Sequence, residues 1–122
     1  MKKCESRITE AQLKKTVVDY LQYGENQGKW FWLRLNAGSF ILTDKNGKFR
    51  RRVIGAKKGT ADFIVITSYD PDKPSCLVYF LELKSSKGKT TEAQDKFAKL
   101  VREQGASYFV IRSIEDVMEV LK

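Results

Sequence analysis

Glu82 and Lys84 stand two positions apart at the end of LVYFLELK, residues 77–84, a run that is otherwise apolar. Side chains two apart on a strand share a face, so a carboxylate and an ammonium leave this strand together. An unpaired charge inside a protein costs several kcal/mol or is neutralised. The end of the strand must therefore meet water, a partner charge or an ion. The preceding run, DFIVITS from Asp62, connects to it through YDPDKP, whose prolines and aspartates make a turn. A connection this short joins antiparallel neighbours. With the turn centred on Asp72, residues whose numbers sum to 144 face each other: Ile64 with Phe80, Ile66 with Val78, Asp62 with Glu82. A slip of one residue would turn Asp62 to the opposite face, so the convergence of Asp62, Glu82 and Lys84 rests on this register. Opposed like charges destabilise a sheet. A divalent cation between them removes the conflict, and Mg²⁺ commonly uses one or two carboxylates together with substrate phosphate.

Composition narrows the chemistry further. The chain has 122 residues, 42% hydrophobic and 31% charged, which suits one domain with its own core. It contains no histidine, which removes most zinc sites, Ser-His-Asp and Cys-His catalysis and histidine-based nucleases. Carboxylates, lysine and oxygen-bound cations are left to do any chemistry. A net charge of +8 favours an anionic partner, most commonly nucleic acid. Cys4 and Cys76 show no metal-type spacing and read as incidental thiols in a reducing compartment. No apolar run approaches the ~20 residues of a membrane span, and MKKCESRITEAQ lacks the apolar segment of a signal peptide. A cytoplasmic protein without membrane attachment is expected.

The elements that must position these residues follow from periodicity. TEAQLKKTVVDYLQYG, 9–24, reads as a helix opened by a Thr9/Gln12 capping box and stopped at Gly24, with Leu13, Val17, Tyr20 and Leu21 inward. Glu10 lies at the edge of that stripe, as a first-turn acid favoured by the helix dipole or as part of the site. WFWLRLN, 30–36, reads as a strand, its aromatic residues core or interface. Asn46-Gly47 between Phe40–Thr43 and Phe49–Ile54 suggests a hairpin. Its segment carries Lys45, Lys48, Arg50, Arg51, Arg52, Lys57 and Lys58, the densest positive charge in the chain and a candidate phosphate-contacting arm. TTEAQDKFAKLVREQG, 90–105, reads as a helix with a Thr91/Gln94 capping box, Phe97, Leu100 and Val101 inward and Gly105 as stop. SYFVIR is a short strand, and Ser113 opens a last helix. The order α-β-(hairpin)-β-β-α-β-α implies an α/β fold, a mixed sheet flanked by helices with a small basic hairpin inserted. Phe63, Val65, Leu77, Tyr79, Leu81 and Leu83 make the other sheet face apolar too, so helices should cover both sides and leave the charged end open as a cleft.

These residues resemble a known family. GTADF (59–63) with LELK (81–84) is similar to the core of the PD-(D/E)xK nucleases. Glu10, Gly59-x-x-Asp62, Glu82-x-Lys84 and Gly88-x-x-Thr91-x-x-Gln94 resemble the VRR-NUC (virus-type replication-repair nuclease) branch, from Glu10 to the closing SIEDVMEVL. Ala61 departs from the pattern, which has proline there. The resemblance implies a restriction-endonuclease-like fold over residues 1–122. It implies Mg²⁺ or Mn²⁺ held by Asp62, Glu82 and the Leu83 carbonyl, with Glu10 adding a contact through water. Lys84 would orient or deprotonate the attacking water, and Gln94 would position Lys84 or that water. The implied reaction is hydrolysis of a DNA phosphodiester to 5′-phosphate and 3′-hydroxyl. Lys48, Arg50, Arg51, Arg52, Lys57, Lys58, Lys87 and Lys89 would contact the nucleic acid. Small stand-alone members are similar to Holliday-junction resolvases, which implies a homodimer acting on four-way or other branched DNA. The alternatives are a nicking or flap endonuclease and a non-catalytic nucleic-acid-binding module that keeps the fold.

Overall fold

A computed structural model describes residues 8–36 and 39–122. Its elements are α1 (Glu10–Asn26), β1 (Phe31–Arg34), β2 (Ser39–Thr43), β3 (Phe49–Ile54), β4 (Phe63–Asp70), β5 (Ser75–Leu83), α2 (Glu92–Glu103), β6 (Ser107–Ile111) and α3 (Ile114–Val120). Four strands form one mixed sheet in the order β1-β4-β5-β6, and β2 and β3 form a separate hairpin. The expected mixed α/β architecture, with its basic hairpin between the first and second sheet strands, is thus present. Cys4 lies outside the described residues.

Alternation along β4 and β5 decides what each face of the sheet meets. Phe63, Val65, Leu81 and Leu83 are buried together with Leu13, Val17 and Leu21 of α1 and Val117 of α3. The opposite face is covered by α2, through Ala98, Phe97 and Val101 against Phe80, Tyr108 and Val110. Leu100, expected inward, is 53% exposed, and Ala98 takes the buried place beside Phe97. Leu77, near the turn-side start of β5, is also exposed.

The β4–β5 register is the one on which the site depends. Phe63 faces Leu81, Ile64 faces Phe80, Ile66 faces Val78 and Ser68 faces Cys76, every pair summing to 144. The sum changes only at Asp70–Ser75, beside a bulge next to the proline-bounded turn. The irregularity is absorbed at the turn, so the expected pairing holds along the strands.

Both long helices stop at left-handed glycines. In α1 the stop is Gly28 (φ 76°), not Gly24: Gly28 donates to Glu25 and Lys29 to Gly24, both at 2.9 Å. In α2 Gly105 (φ 92°) repeats the arrangement, with donors at Gly105 and Ala106. Gly24 has a different task inside α1. The Trp30 indole lies across it, where a Cβ would fall within the ring, and Trp30 Nε1 donates to the Leu21 carbonyl at 2.8 Å. Trp30 thereby pins the start of β1 to α1.

The hairpin turns through a tight loop. Asp44 Oδ1 accepts from the Asn46 and Lys48 amides, both at 2.9 Å, and Gly47 adopts φ 80°. This is a type I turn closed by a left-handed glycine. Among the described residues, β2 and β3 pack on each other and on no other element.

In an exposed helix interior, alanine is preferred to glycine by about 1 kcal/mol. At Gly24 the overlap with Trp30 reverses that sign. Gly24→Ala is expected to lose ~1–3 kcal/mol of unfolding free energy, measured by urea denaturation; a more stable variant would contradict this packing.

Candidate active site

The site is built where β4 begins and β5 ends. The Leu83 N–H donates to Asp62 Oδ2 at 2.7 Å, a side chain standing where the strand ladder would otherwise continue. The Asp62 carbonyl in turn accepts from the Leu35 amide at 2.8 Å. Asp62 is held by both of its neighbouring strands. In extended backbone, the N–H and C=O of one residue leave on the same edge, so the Leu83 carbonyl also faces the Asp62 side.

Glu82 is buried, with 4% of its surface exposed. Gln94 Nε2 donates to its Oε2 at 3.2 Å, and among the described residues its Oε1 has no hydrogen-bond partner. Burial, first, and then the Asp62 carboxyl push the Glu82 carboxyl up to about 8, with Lys84 opposing and Glu10 adding slightly. Gln94 serves two purposes with one amide. Its Oε1 accepts from the Thr91 N–H at 2.9 Å in the α2 capping box while its Nε2 reaches Glu82. Its partner is the acid, rather than Lys84.

Lys84 is half-buried at the mouth of the sheet, and its amide donates to the Ile111 carbonyl at 3.0 Å. Among the described residues its ammonium makes no ion pair within 4.0 Å. Glu10, the first residue of α1, is exposed. Among the described residues no group of three or more Asp, Glu, Cys or His side chains gathers closely enough to hold a metal ion. The immediate acidic set is therefore the Asp62–Glu82 pair, with Glu10 outside it. The pair still suits a hard cation. A buried, unpartnered carboxylate oxygen, a second carboxylate against it and a carbonyl edge beside them are oxygen donors short of positive charge.

Further residues shape the site through contacts that their local sequence does not reveal. Tyr108, on the parallel neighbour β6 opposite Phe80, carries a buried hydroxyl with no hydrogen-bond partner among the described residues. Burial and the Glu82 carboxylate push that hydroxyl up, so it stays a neutral phenol. Arg112 donates from Nη1 to the Ser85 and Gly88 carbonyls, both at 2.7 Å, closing the loop after Lys84. Gly88 lies against the Lys84 stem. Gly59 (φ 88°) lets the chain before β4 approach α2 so closely that a Cβ would overlap the Ala93 carbonyl. The signal at Gly59 was legible only as part of Gly-x-x-Asp; the contact with α2 depends on tertiary structure.

The eight cationic residues expected to meet nucleic acid are all exposed. Lys48, Arg50, Arg51 and Arg52 lie on or beside the hairpin strands, Lys57 and Lys58 in the approach to β4, and Lys87 and Lys89 in the loop between β5 and α2. Among the described residues none of them is in an ion pair. No protein-family model and no curated protein matches this chain.

Glu82 sets a pH dependence for the metal-free protein. Its folded-state pKa lies above the ordinary 4.5, so its favourable contribution is fully present below pH 4.5. That contribution is lost as pH rises toward about 8, where the unfolded chain ionises freely and the folded one resists. In chelator, the thermal midpoint should fall over this window, by a few kcal/mol of equivalent stability on the order given by linkage. Glu82→Gln should flatten the fall; a parallel profile in the variant would contradict the assignment. Arg112→Ala should free the 85–88 loop, seen as faster amide exchange at Ser85–Gly88 with the core unchanged.

Proposed function

We propose that the chain is a divalent-cation-dependent endodeoxyribonuclease of the PD-(D/E)xK type, similar to the VRR-NUC branch. The observation that carries this reading is the Asp62–Glu82 pair with Lys84 at one wet end of a helix-covered sheet. A buried acid with a half-buried one set against it, in a protein of net charge +8, serves no purpose in a module that only grips phosphate.

Asp62, Glu82 and the Leu83 carbonyl are the residues that would hold Mg²⁺ or Mn²⁺. When bound, the ion lowers the pKa of a water and polarises the phosphoryl oxygen. The chain's own residues do the rest. The Leu83 amide fixes Asp62 Oδ2, and the Asp62 carboxyl lies close enough to Glu82 to push it up. Gln94 orients Glu82 through Oε2 and leaves Oε1 unpartnered. Lys84 brings a compact positive charge to where negative charge builds on the phosphate, and it orients the attacking water. Arg112 keeps the following loop against the Lys84 stem. Glu10 adds negative charge at the rim and would act through water.

The exposed hairpin arm supports contact with a nucleic-acid backbone, since among the described residues its cations make no ion pair and its strands pack on no other element. A homodimer acting on a branched substrate follows from the resemblance to junction resolvases. It gains support from Phe31 and Leu33 on edge strand β1, about half exposed at 52% and 48%. Sedimentation should then give a dimer mass.

Wild-type protein is expected to cut four-way, flapped or plain duplex DNA with Mg²⁺ or Mn²⁺ and to leave it intact in chelator. Asp62→Asn and Lys84→Ala should each lower the cleavage rate by at least about 100-fold while DNA binding stays within a few-fold. A Lys84→Ala protein that cuts at the normal rate sinks this reading.

A further inference from the structure

We propose that the groove between α2 and the Lys57–Lys58 turn is a binding site for an unpaired nucleobase, held next to the acids that would cut the strand. The proposal rests on the nuclease reading and adds to it the form of nucleic acid the site selects.

The groove is lined by Lys57, Lys58, Ala93, Lys96, Phe97 and Leu100 and encloses about 390 Å³, at the small end of ligand sites. Its floor is apolar and rigid. Phe97 packs edge-on against Phe80 at 5.2 Å and tilts against Tyr108 at 6.0 Å. Leu100 stands beside it, 53% exposed, on a helix whose other large apolar side chains face the sheet. Ala93, Lys96, Phe97 and Leu100 form one i, i+3, i+4, i+7 stripe. The rim is cationic. Lys57, Lys58 and Lys96 are exposed, and among the described residues none of them has an ion-pair partner. The opposite wall is fixed in place: the Thr60 amide donates to the Lys57 carbonyl at 3.1 Å, and Gly59 touches Ala93.

An apolar floor under a ring of lysines matches a flat π-face flanked by phosphates. A stacked duplex offers such a surface only sugar edges and phosphates, which would leave Phe97 and Leu100 without contact. An unpaired nucleotide offers its base, and stacking of that kind tolerates any sequence. The groove also adjoins the chemistry. Ala93 is followed directly by Gln94, which holds Glu82, and Lys58 lies four residues before Asp62. A strand whose phosphate rests on the acids can place a neighbouring unpaired base on Phe97 and Leu100 without leaving the surface.

The test measures binding by fluorescence anisotropy in the Lys84→Ala background, so that DNA is not consumed. The probes are a blunt duplex, the same duplex with a short unpaired tail, and that tail made abasic. The tailed duplex should bind about tenfold more tightly than its abasic form. Leu100→Ser, at an exposed position, should erase that preference and leave blunt-duplex affinity unchanged. Lys96→Ala should weaken both tailed probes alike. Equal affinity for the base-bearing and abasic tails, or a preference that survives Leu100→Ser, overturns the proposal. A base preference in a protein that cuts no DNA with Mg²⁺ or Mn²⁺ keeps the groove and overturns the nuclease reading. Absence of binding to every probe overturns both.

Discussion

One hydrogen bond fixes the geometry of the charged end of the sheet, from the Leu83 amide to Asp62 Oδ2 at 2.7 Å. The β4–β5 ladder runs without a break from Ser68–Cys76 to Phe63–Leu81, and continuing it would pair Leu83 with Ala61. The aspartate side chain accepts instead. Asp62 is thereby tethered to the strand that carries Glu82, and the two carboxyls cannot swing apart to relieve their repulsion. A charge-assisted bond of this kind is stronger than a neutral one, and Asp62 is only half-buried. The cost falls on Glu82, which burial and Asp62 together hold toward its protonated form.

That cost is tolerated because the surrounding apolar packing is firm on both faces. Phe63, Val65, Leu81 and Leu83 are sealed by α1 and α3, while Phe97 of α2 packs edge-on against Phe80 and tilted against Tyr108. Rigid packing leaves Glu82 little contact with water, and among the described residues Gln94 is the side chain that reaches it with a hydrogen-bond donor. Since the same glutamine amide closes the α2 capping box, the start of the helix and the orientation of the acid are one structural fact. Moving α2 would move this donor with it. Gly59, against the first turn of α2, sets how close that helix comes to the approach of β4.

Much of this was legible from local patterns. The Asp72-centred register followed from a short proline-bounded connection between two apolar strands, and alternation then put Asp62, Glu82 and Lys84 together. Both capping boxes, Thr9/Gln12 and Thr91/Gln94, formed as their spacing implied. What escaped depended on contacts between residues distant in sequence. Gly24 looked like a helix stop because glycine usually is one there; the indole of Trp30 six residues on is what requires it, and Gly28 supplies the stop. Leu100 fits the inward stripe of α2, but α2 lies over β6 and leaves that side of the helix uncovered. Tyr108 and Arg112 belong to an ordinary apolar strand and its end. Nothing in their neighbours reveals that one faces Glu82 and the other braces the loop behind Lys84.

Charge is divided unequally between surface and interior, and on the nuclease reading that division separates affinity from chemistry. The exposed lysines and arginines of the hairpin and of the loops around the site make no ion pair among the described residues and lie in water. Each can contribute a screened, additive attraction to phosphate that weakens with salt. The buried acids act in the opposite sense. In a low-dielectric site their repulsion of a phosphate is poorly screened, so without a cation they would resist the substrate the surface attracts. Among the described residues β2 and β3 pack on each other and on no other element, so changes there should leave the Asp62–Leu83 and Gln94–Glu82 bonds untouched. Salt and hairpin substitutions should thus act on binding, whereas the metal ion and the buried pair act on the chemical step. The two sets of groups meet at Lys84, which is half-buried, makes no ion pair among the described residues and is held near Glu82 by the strand that carries both.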